Sequence, residues 1–533
     1  MTAAGSSGAA LVRGGGTMAL GTIVSRATGL IRTLVLGAAL GVNALSDAYN
    51  VSNTVPNVVY DLLLGGVLTS VVVPILVRAA REDDDGGEGF LSTLFTVVTV
   101  GMIIVSIVGV VAAPLLMRLY LHPGVSAQER QLAVTLTRFF IPQLTFYALT
   151  ALFSAVLTIR GRFGAVGLAP ALNNVVVITV TAVFFLTPRG PRLTTAHLDN
   201  GQTLLLGLGT TAGVVAMTLA LLPSLARAGV HLRWRFRLAD PRLRAAARLA
   251  TWVLVYAAAN QIGFLIITNL ATAQGGGASA YAYAFLLFQL PYAIVTVSVI
   301  SAVMPGLSSA ALDDDGGAVR SQLSRALRLS FVLLIPAAFG LLVLAGPLTD
   351  AAFAHGLTTT AKAAVLGRAL TVFAIGLPAF SAYQLLLRVF YARHDSRTPA
   401  VINIWANAVN IVADVVLVVL LPADQRIPGL AGGFVLSYVV GTALAVRRLR
   451  ATLGGIDGFR VTRLVVRVSL AGVLGAAVAG AIAAEIEGGL GHGTAGAVLA
   501  TFAGAVVGGV VYVWAARRMR VSEVTGLLAM LRR

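Results

Sequence analysis

The chain has 533 residues, of which 57% are hydrophobic and only 11% are charged, and its mean hydropathy is +0.89. Soluble domains carry about 25% charged residues, so the composition excludes a soluble multidomain protein. The net charge of +18 would suggest nucleic-acid binding in a soluble protein, but here the basic residues follow the membrane topology. We therefore predict an all-α polytopic membrane protein that binds no nucleic acid.

Apolar windows long enough to cross about 30 Å of hydrocarbon as a helix recur along the whole chain. The first window follows a Gly/Ala/Ser-rich start and is too long and too charged for a cleavable signal peptide, so we expect it to be retained. We predict fourteen transmembrane helices, at 18–41, 47–77, 90–114, 135–159, 168–186, 203–222, 249–273, 279–307, 329–346, 365–387, 399–421, 428–446, 466–485 and 494–515.

The basic residues indicate the orientation of these helices. With a cytoplasmic N-terminus, twenty-nine of the 39 fall in cytoplasmic loops and tails, eight fall outside, and two fall within the membrane. This bias predicts cytoplasmic N- and C-termini. The densest clusters, at 227–248 and 447–467, are interpreted mainly as topogenic charge, with binding of anionic lipid headgroups as the alternative.

Two pairs of matching segments indicate an internal duplication. The string DDDGG occurs at 83–87 and again 230 residues later, and the segment 156–176 matches 389–410 at an offset of 233. The period contains six spans, and an even number gives both halves the same orientation. We predict two six-helix lobes related by a pseudo-two-fold axis along the membrane normal, plus two extra C-terminal helices.

The predicted organisation follows from these spans and loops. It comprises a disordered cytoplasmic tail (1–17), an N-lobe (18–222), a basic cytoplasmic linker (223–248), a C-lobe (249–446), a basic cytoplasmic loop (447–465), helices 13 and 14 (466–515) and a basic cytoplasmic tail (516–533).

Several chemistries are not indicated by the sequence. No Walker A motif is present and the single lysine, Lys362, lies in a predicted external loop, so ATP hydrolysis is not expected as the driving force. The chain has no cysteine, and its six histidines are not spaced as ligands within a span, so neither a metal nor another cofactor is predicted. We predict a transporter rather than an enzyme.

The first span contains two arginines, Arg26 and Arg32, within "SRATGLIRTLVLGAAL" at 25–40. Each costs about 2.5 to 3.5 kcal/mol at mid-membrane on insertion scales, so both should face protein or water. A guanidinium stays charged and binds phosphate through two parallel hydrogen bonds, which favours an anion site. The alternative is neutralisation by internal carboxylates.

The depths of the residues give that alternative a specific partner. At about 1.5 Å rise per residue, Arg26 lies about 22 Å and Asp61 about 21 Å below the outer ends of their spans. Arg32 lies about 13 Å down, where the second span has no acidic residue. Arg32 is thus the better candidate for free positive charge. Asp47, at the outer mouth, is interpreted as a helix N-cap in preference to a substrate contact.

Span 11 carries Asn403, Asn407, Asn410 and Asp414 at spacings of three and four, along one helical face. An intramembrane aspartate with nearby oxygen ligands, to which Thr442 of the next span could add one, suits Na⁺ or a proton relay. Interhelical hydrogen bonding is the alternative, and it is favoured.

The stretch 25–76 resembles the first two helices of the MurJ (MviN) family, whose pattern runs S-R-x-x-G-x-x-R, then D-A, P-N and P-x-L. The fourteen-span layout and the duplicated lobes are similar to that family over nearly the whole chain. The residues that match the pattern are Ser25, Arg26, Gly29, Arg32, Asp47, Ala48, Pro56, Asn57, Pro74 and Leu76.

The resemblance implies a flippase of the multidrug/oligosaccharidyl-lipid/polysaccharide exporter superfamily. Such proteins move the undecaprenyl-linked peptidoglycan precursor lipid II across the bacterial cytoplasmic membrane by alternating access, driven by Na⁺ or H⁺ gradients or by membrane potential. It implies lipid II as substrate, and membrane lipids and cell-wall synthesis proteins as further partners. The alternatives are a related exporter of another lipid-linked oligosaccharide or a drug, and a membrane enzyme acting on polyprenyl phosphate.

For individual residues, the resemblance implies that Arg26 and Arg32 line a cationic cavity that receives the pyrophosphate, and that helices 13 and 14 form a groove for the polyprenyl tail. The candidate substrate site also includes the matching residues Ser25, Asp47 and Asn57, together with Asp61, which lies at the depth of Arg26. Where many members carry basic residues, this chain has Tyr60 and Asp61 after Pro-Asn, and Leu286 in span 8. We therefore expect a less positive cavity.

Overall fold

The computed structural model describes residues 3–62, 73–187, 198–237, 261–393, 395–491 and 493–531. Regular secondary structure in these ranges is helical throughout, as expected where hydrocarbon forces backbone polar groups to pair within one segment. By contacts, the chain divides into two compact units, Met1–Gly275 and Gly276–Arg533.

The first unit contains ten helices in its described residues. They are α1 (Ala3–Leu40), α2 (Ala44–Leu62), α3 (Val73–Glu82), α4 (Glu88–Tyr120), α5 (Ala127–Phe140), α6 (Gln143–Ile159), α7 (Phe163–Leu186), α8 (Asn200–Leu219), α9 (Leu222–Arg227) and α10 (Gln261–Ala271).

The second unit contains eight α-helices and a short 3₁₀ turn in its described residues. They are α11 (Gly277–Leu312), α12 (Gly316–Phe353), α13 (Thr360–Ala392), α14 (Arg397–Leu420), the 3₁₀ turn Ala423–Gln425, α15 (Arg426–Leu453), α16 (Gly458–Leu490), α17 (Thr494–Arg518) and α18 (Ser522–Leu531).

The predicted membrane-spanning architecture is confirmed for most spans. Twelve helical segments of the described chain are long and apolar enough to cross a membrane, and they correspond to twelve of the fourteen predicted windows. The other two windows, 47–77 and 249–273, lie partly outside the described residues, and their described parts are helical at 47–62, 73–77 and 261–271. The count of fourteen therefore stays a prediction, with which the structure is consistent.

Several helices extend well beyond their apolar windows because capping residues set their ends. The window at 329–346 lies inside α12, which begins at Gly316, where the side chain of Asp315 accepts a hydrogen bond from the backbone N–H of Ala318 at 2.9 Å. Such a cap satisfies one of the free donors of a first helical turn. The predicted fourth span, 135–159, is interrupted at Ile141–Pro142 between α5 and α6, since a proline ring lacks the N–H that a continuous helix needs.

The unit boundary at Gly275 lies downstream of the start of the predicted C-lobe at 249. Helix α10 is part of the first unit because the side chain of Gln261 donates to the hydroxyl of Tyr120 and that of Asn269 donates to the carbonyl of Leu119 at 3.0 Å. The division into lobes stays a prediction, since a boundary drawn by contacts does not test it.

Both ends of the described chain are helical. Helix α1 begins at Ala3, within the segment 1–17 for which disorder is predicted. Extending an existing helix avoids the cost of nucleation, which gives a physical reason for the difference. In the predicted C-terminal tail, α18 packs on the second unit, where Glu523 forms a 2.6 Å ion pair with Arg328 of α12 and Val524 is buried in the core.

Candidate functional site

The two arginines of the first span lie on α1, which packs along α7. The two backbones touch at Gly21, where an added Cβ would come within 2.7 Å of the carbonyl carbon of Gly167. Arg26 is exposed and Arg32, nearly two turns further on, is half-buried. Glycine on both helices therefore allows the close approach that fixes the height of the arginines against α7.

Asn174 of α7 connects three residues of α1. Its side-chain nitrogen donates to the carbonyl of Ser25 at 3.0 Å and lies 3.1 Å from the hydroxyl of Thr28. Its side-chain oxygen accepts from Nη1 of Arg32 at 3.5 Å. The amide thus orients the Arg32 guanidinium through a long hydrogen bond while adding no charge.

In the described part of the chain, neither Arg26 nor Arg32 forms an ion pair; the ion pairs there involve other arginines. Asp61 lies in the last turn of α2, but its side chain is outside the described residues. The proposed pairing of Arg26 with Asp61 therefore stays a prediction. The side chain of Tyr60 is also outside the described residues.

The interpretation of Asp47 as an N-cap is wrong. Helix α2 begins at Ala44, and its cap is Asn43, whose side-chain oxygen accepts from the backbone N–H groups of Leu45 at 2.8 Å and Ser46 at 3.3 Å. The Ser46 hydroxyl in turn accepts from the backbone N–H of Asn43 at 3.1 Å. Asp47 lies inside the first turn and is fully buried, so it is not the N-cap of this helix.

The candidate site residue Asn57 and the departure from the family pattern at Leu286 both lie in described helices. The side-chain oxygen of Asn57 accepts a 2.8 Å hydrogen bond from the hydroxyl of Tyr147 on α6. This bond gives Asn57 a structural role between α2 and α6. Leu286, where many family members have an arginine, is half-buried on α11.

In the second unit, Asn410 and Asp414 form the predicted polar pair on α14. The side-chain nitrogen of Asn410 donates to Oδ2 of Asp414 at 2.6 Å. Asp414 is fully buried, and its Oδ1 has no hydrogen-bond partner among the described residues. A Cβ added to Gly433 of α15 would come within 1.9 Å of that oxygen, so only glycine fits there. Oδ1 of Asp414 could therefore accept a hydrogen bond or bind a cation.

Thr442 is not beside this pair. It lies nine residues beyond Gly433 on α15, which is about 13.5 Å along the helix axis. Its hydroxyl donates to the carbonyl of Ala379 at 2.9 Å. The hydroxyl one turn from Gly433 is that of Ser437, which is buried and donates to the carbonyl of Phe434 at 2.7 Å.

A cavity of about 930 Å³ lies along α12, α16 and α17. Its wall is almost entirely apolar, and Arg517 is the single charged residue among the described residues that line it. Small residues create the space: Gly340 and Gly509 line it, and an added Cβ at either would meet no atom within 4 Å. Its larger lining side chains include Leu333, Leu341, Leu344, Tyr512, Val513 and Trp514.

Asn174 and Gly433 were missed as site residues in the sequence. A clue to Asn174 existed, because the internal match aligns it with Asn407, which was noted for span 11. Helices α7 and α14 each have 24 residues and follow helices that end in a C-capping arginine, Arg160 and Arg393, in agreement with that alignment. No pattern in the sequence indicated that Gly433 faces an aspartate.

Comparison with known proteins identifies the family to which the chain is similar. The sequence model of the family described as "Lipid II flippase MurJ" matches residues 36–504. The chain is 30% identical over 410 residues to "Lipid II flippase MurJ" of Burkholderia cenocepacia, covering 75% of this chain and 77% of the relative. It is 27% identical over 408 residues to "Probable lipid II flippase MurJ" of Rhizobium meliloti, covering 75% and 74%.

Solved structures agree on the fold. The structure of "Lipid II flippase MurJ, inward closed conformation" matches with a TM-score of 0.77 at 19% identity, covering 95% of this chain and 99% of that one. An inward-facing multidrug resistance MATE family transporter of the MOP superfamily matches with a TM-score of 0.67 at 15% identity, covering 81% and 94%. The family match spans most of the chain, and we conclude that this protein belongs to the lipid II flippase MurJ family of bacterial multi-pass membrane proteins.

Proposed function

We propose that this protein flips lipid II across the cytoplasmic membrane, with Arg26 and Arg32 receiving the pyrophosphate. The observation that carries the proposal is the state of Arg32, a half-buried arginine on a membrane-spanning helix. Among the described residues, its side chain contacts an amide and not a carboxylate. A guanidinium held in this way keeps its full charge and its paired donors for an anion.

The apolar cavity supports the second half of the substrate assignment. A polyprenyl tail is a long hydrocarbon, and the wall along α12, α16 and α17 offers apolar side chains over about 930 Å³. Two of these three helices are the extra C-terminal pair of the sequence analysis. We propose that the tail occupies this groove while the headgroup is moved by alternating access.

For the driving force, we propose that Asp414 and Asn410 bind the coupling cation, Na⁺ or H⁺. The support is the buried Oδ1 of Asp414, which lacks a hydrogen-bond partner among the described residues. Ser437, one helical turn from Gly433, replaces Thr442 as the candidate hydroxyl ligand. Interhelical hydrogen bonding is the competing role, and membrane potential is the competing drive.

The test is complementation with a leaflet assay. A strain depleted of its own flippase is supplied with this protein, and lipid II exposed on the outer leaflet is measured with an impermeant probe. We expect exposure to be restored. Normal expression without restored exposure would contradict the assignment and favour an exporter of another lipid-linked oligosaccharide.

A further inference from the structure

The segment 230–237 is an extended stretch of chain fixed to the side of α4. The backbone N–H of Arg233 donates to the hydroxyl of Ser92 at 3.3 Å, and that of Arg235 donates to the hydroxyl of Thr96 at 2.8 Å. Val230 is buried in the core of the first unit beside them. Its position on α4 is therefore set by specific hydrogen bonds and by packing.

The face of α4 that the segment covers continues into the membrane. Ile103 and Ile107 lie seven and eleven residues after Thr96, on the same helical face, and their side chains are exposed. An exposed apolar face on a membrane-spanning helix contacts lipid. Ile103 lies about 10 Å deeper than Thr96 along the axis. The segment thus lies at the edge of the bilayer, on the lipid side of α4.

Aromatic and basic residues alternate along this segment. Trp234 and Phe236 remain 61% and 68% exposed, although Trp234 also contacts the ring of Phe95 at 5.2 Å between centroids. Arg233 and Arg237 are exposed on either side of this pair, and Arg235, between the two aromatic residues, is half-buried. Tryptophan concentrates at the membrane–water interface, and arginine near the surface attracts anionic lipids.

The acidic loop at 83–85 faces two of the arginines of the segment. A cavity of about 440 Å³ is lined by Asp83, Asp84 and Asp85 on one side and by Arg235 and Arg237 on the other. The carboxylate of Asp85 accepts hydrogen bonds from the backbone N–H groups of Gly87 and Gly89 at 3.0 and 2.8 Å. Glu82 lines the same cavity, and Arg233 is not among its lining residues, so the acidic loop lies against Arg235 and Arg237 and leaves Arg233 exposed outside it.

We propose that the segment 230–237 is a binding site for anionic phospholipid headgroups, with Trp234 and Phe236 in the interface and Arg233, Arg235 and Arg237 on the phosphates. Simple topogenic charge requires neither a fixed extended backbone nor exposed aromatic side chains between the arginines. This site is independent of the lipid II assignment, because it lies on the outer surface of the first unit.

The test uses the fluorescence of Trp234. The full-length protein with the other three tryptophans replaced (Trp252→Phe, Trp405→Phe and Trp514→Phe) is placed in nanodiscs of phosphatidylcholine and phosphatidylglycerol in equal amounts. Only one of the two lipids is brominated in each preparation. We expect brominated phosphatidylglycerol to quench Trp234 about two-fold or more better than brominated phosphatidylcholine.

Two site variants test whether the lipid preference depends on the segment 230–237 or only on the overall basic charge of the protein. Replacing Arg233, Arg235 and Arg237 together by Gln should equalise the two quenchers, whereas the matched change of Arg447, Arg448 and Arg450 to Gln should leave the preference intact.

The second variant, Ser92→Ala with Thr96→Val, keeps every charge and hence the topology, but removes the acceptors that fix the segment, so it should also equalise the quenchers. Equal quenching in the parent protein would overturn the proposal. A preference that survives in either site variant, or the absence of quenching by both lipids, would do so too.

Discussion

The guanidinium of Arg32 on α1 contacts the side-chain amide oxygen of Asn174 on α7 at 3.5 Å. A carboxylate in this position would neutralise the arginine, whereas an amide orients it and leaves its charge available. The same amide donates to α1 at Ser25. Asn174 therefore both positions the arginine and joins two helices.

Replacing Arg32 by Ala should abolish flipping while leaving membrane insertion and expression near normal, because no ion pair of Arg32 is present in the described residues to be broken. A hydrogen bond to a charged group contributes about 1.5–3 kcal/mol, so substrate affinity should fall about ten- to a hundred-fold. Lysine should rescue only in part, since it lacks the paired donors. Complementation at wild-type expression by Arg32→Ala would contradict the anion site.

Replacing Asn174 by Asp should inactivate the protein by placing a negative charge beside Arg32. The variant keeps the side-chain volume but loses the donor to the Ser25 carbonyl, so expression and folding are measured alongside transport. Titration of lipid II binding to the folded variant should show weakened affinity. The control is Asn173→Asp, one position earlier on α7, where the Asn173 side-chain oxygen lies against Gly213 of α8. If Asn174→Asp transports normally while Asn173→Asp is properly folded, Arg32 does not require a neutral partner.

Replacing Gly433 by Ala should disturb the candidate cation site directly. The added methyl group would approach Oδ1 of Asp414 to 1.9 Å, and overpacking of this kind typically costs about 1–3 kcal/mol. Asp414→Asn instead keeps the volume and should reduce both transport and its dependence on the Na⁺ or proton gradient. Normal, gradient-dependent transport by Asp414→Asn would leave Asn410 and Asp414 with a packing role alone.

Replacing Gly509 by Leu should fill the apolar groove without a clash at Cβ, because nothing lies within 4 Å of that position. We expect lipid II transport to fall several-fold, while a soluble headgroup analogue lacking the tail binds as before.

Gly101→Leu on α4 is the matched control, since its Cβ position is equally open and it is not among the residues that line the groove. Equal transport by the two variants would show that the groove does not hold the tail.

Single cysteines in this cysteine-free chain should report the predicted topology. With cytoplasmic termini, a cysteine at Asn200 should react with an impermeant thiol reagent in intact cells, and one at Asp84 should react only after lysis. Both positions are exposed. The reverse labelling pattern would invert the topology and place the segment 230–237 outside the cell.

The architecture was predictable because a bilayer imposes length and apolarity on every span, and these properties are local in the sequence. Helix ends were less predictable. Asp47 looked like a cap because it precedes a polar stretch, yet Asn43 reaches the free N–H groups first. The interruption at Pro142 lies within an apolar window that hydropathy alone does not divide.

Contacts between candidate residues could be predicted from the sequence where both partners lie on one helix, but not where they lie on two, and the binding roles of these residues stay predictions. The spacing of Asn410 and Asp414 places them one turn apart, and they form a hydrogen bond. The choice of Thr442 required the register of α15 against α14, which Gly433 sets by admitting the Asp414 side chain. Asn174 was overlooked for the same reason, since only the packing of α1 on α7 brings it to Arg32.

Close contact of α1 and α7 also restricts how the protein can move. The backbones meet at Gly21 and Gly167, and Asn174 connects to α1 at both Ser25 and Arg32, so the two helices are joined over more than three turns of α1. Arg32 cannot shift toward either side of the membrane without carrying α7 with it or breaking these contacts. A pyrophosphate bound to Arg32 would therefore act on α1 and α7 together. Movement of a small headgroup would in this way be coupled to movement of two helices of the first unit.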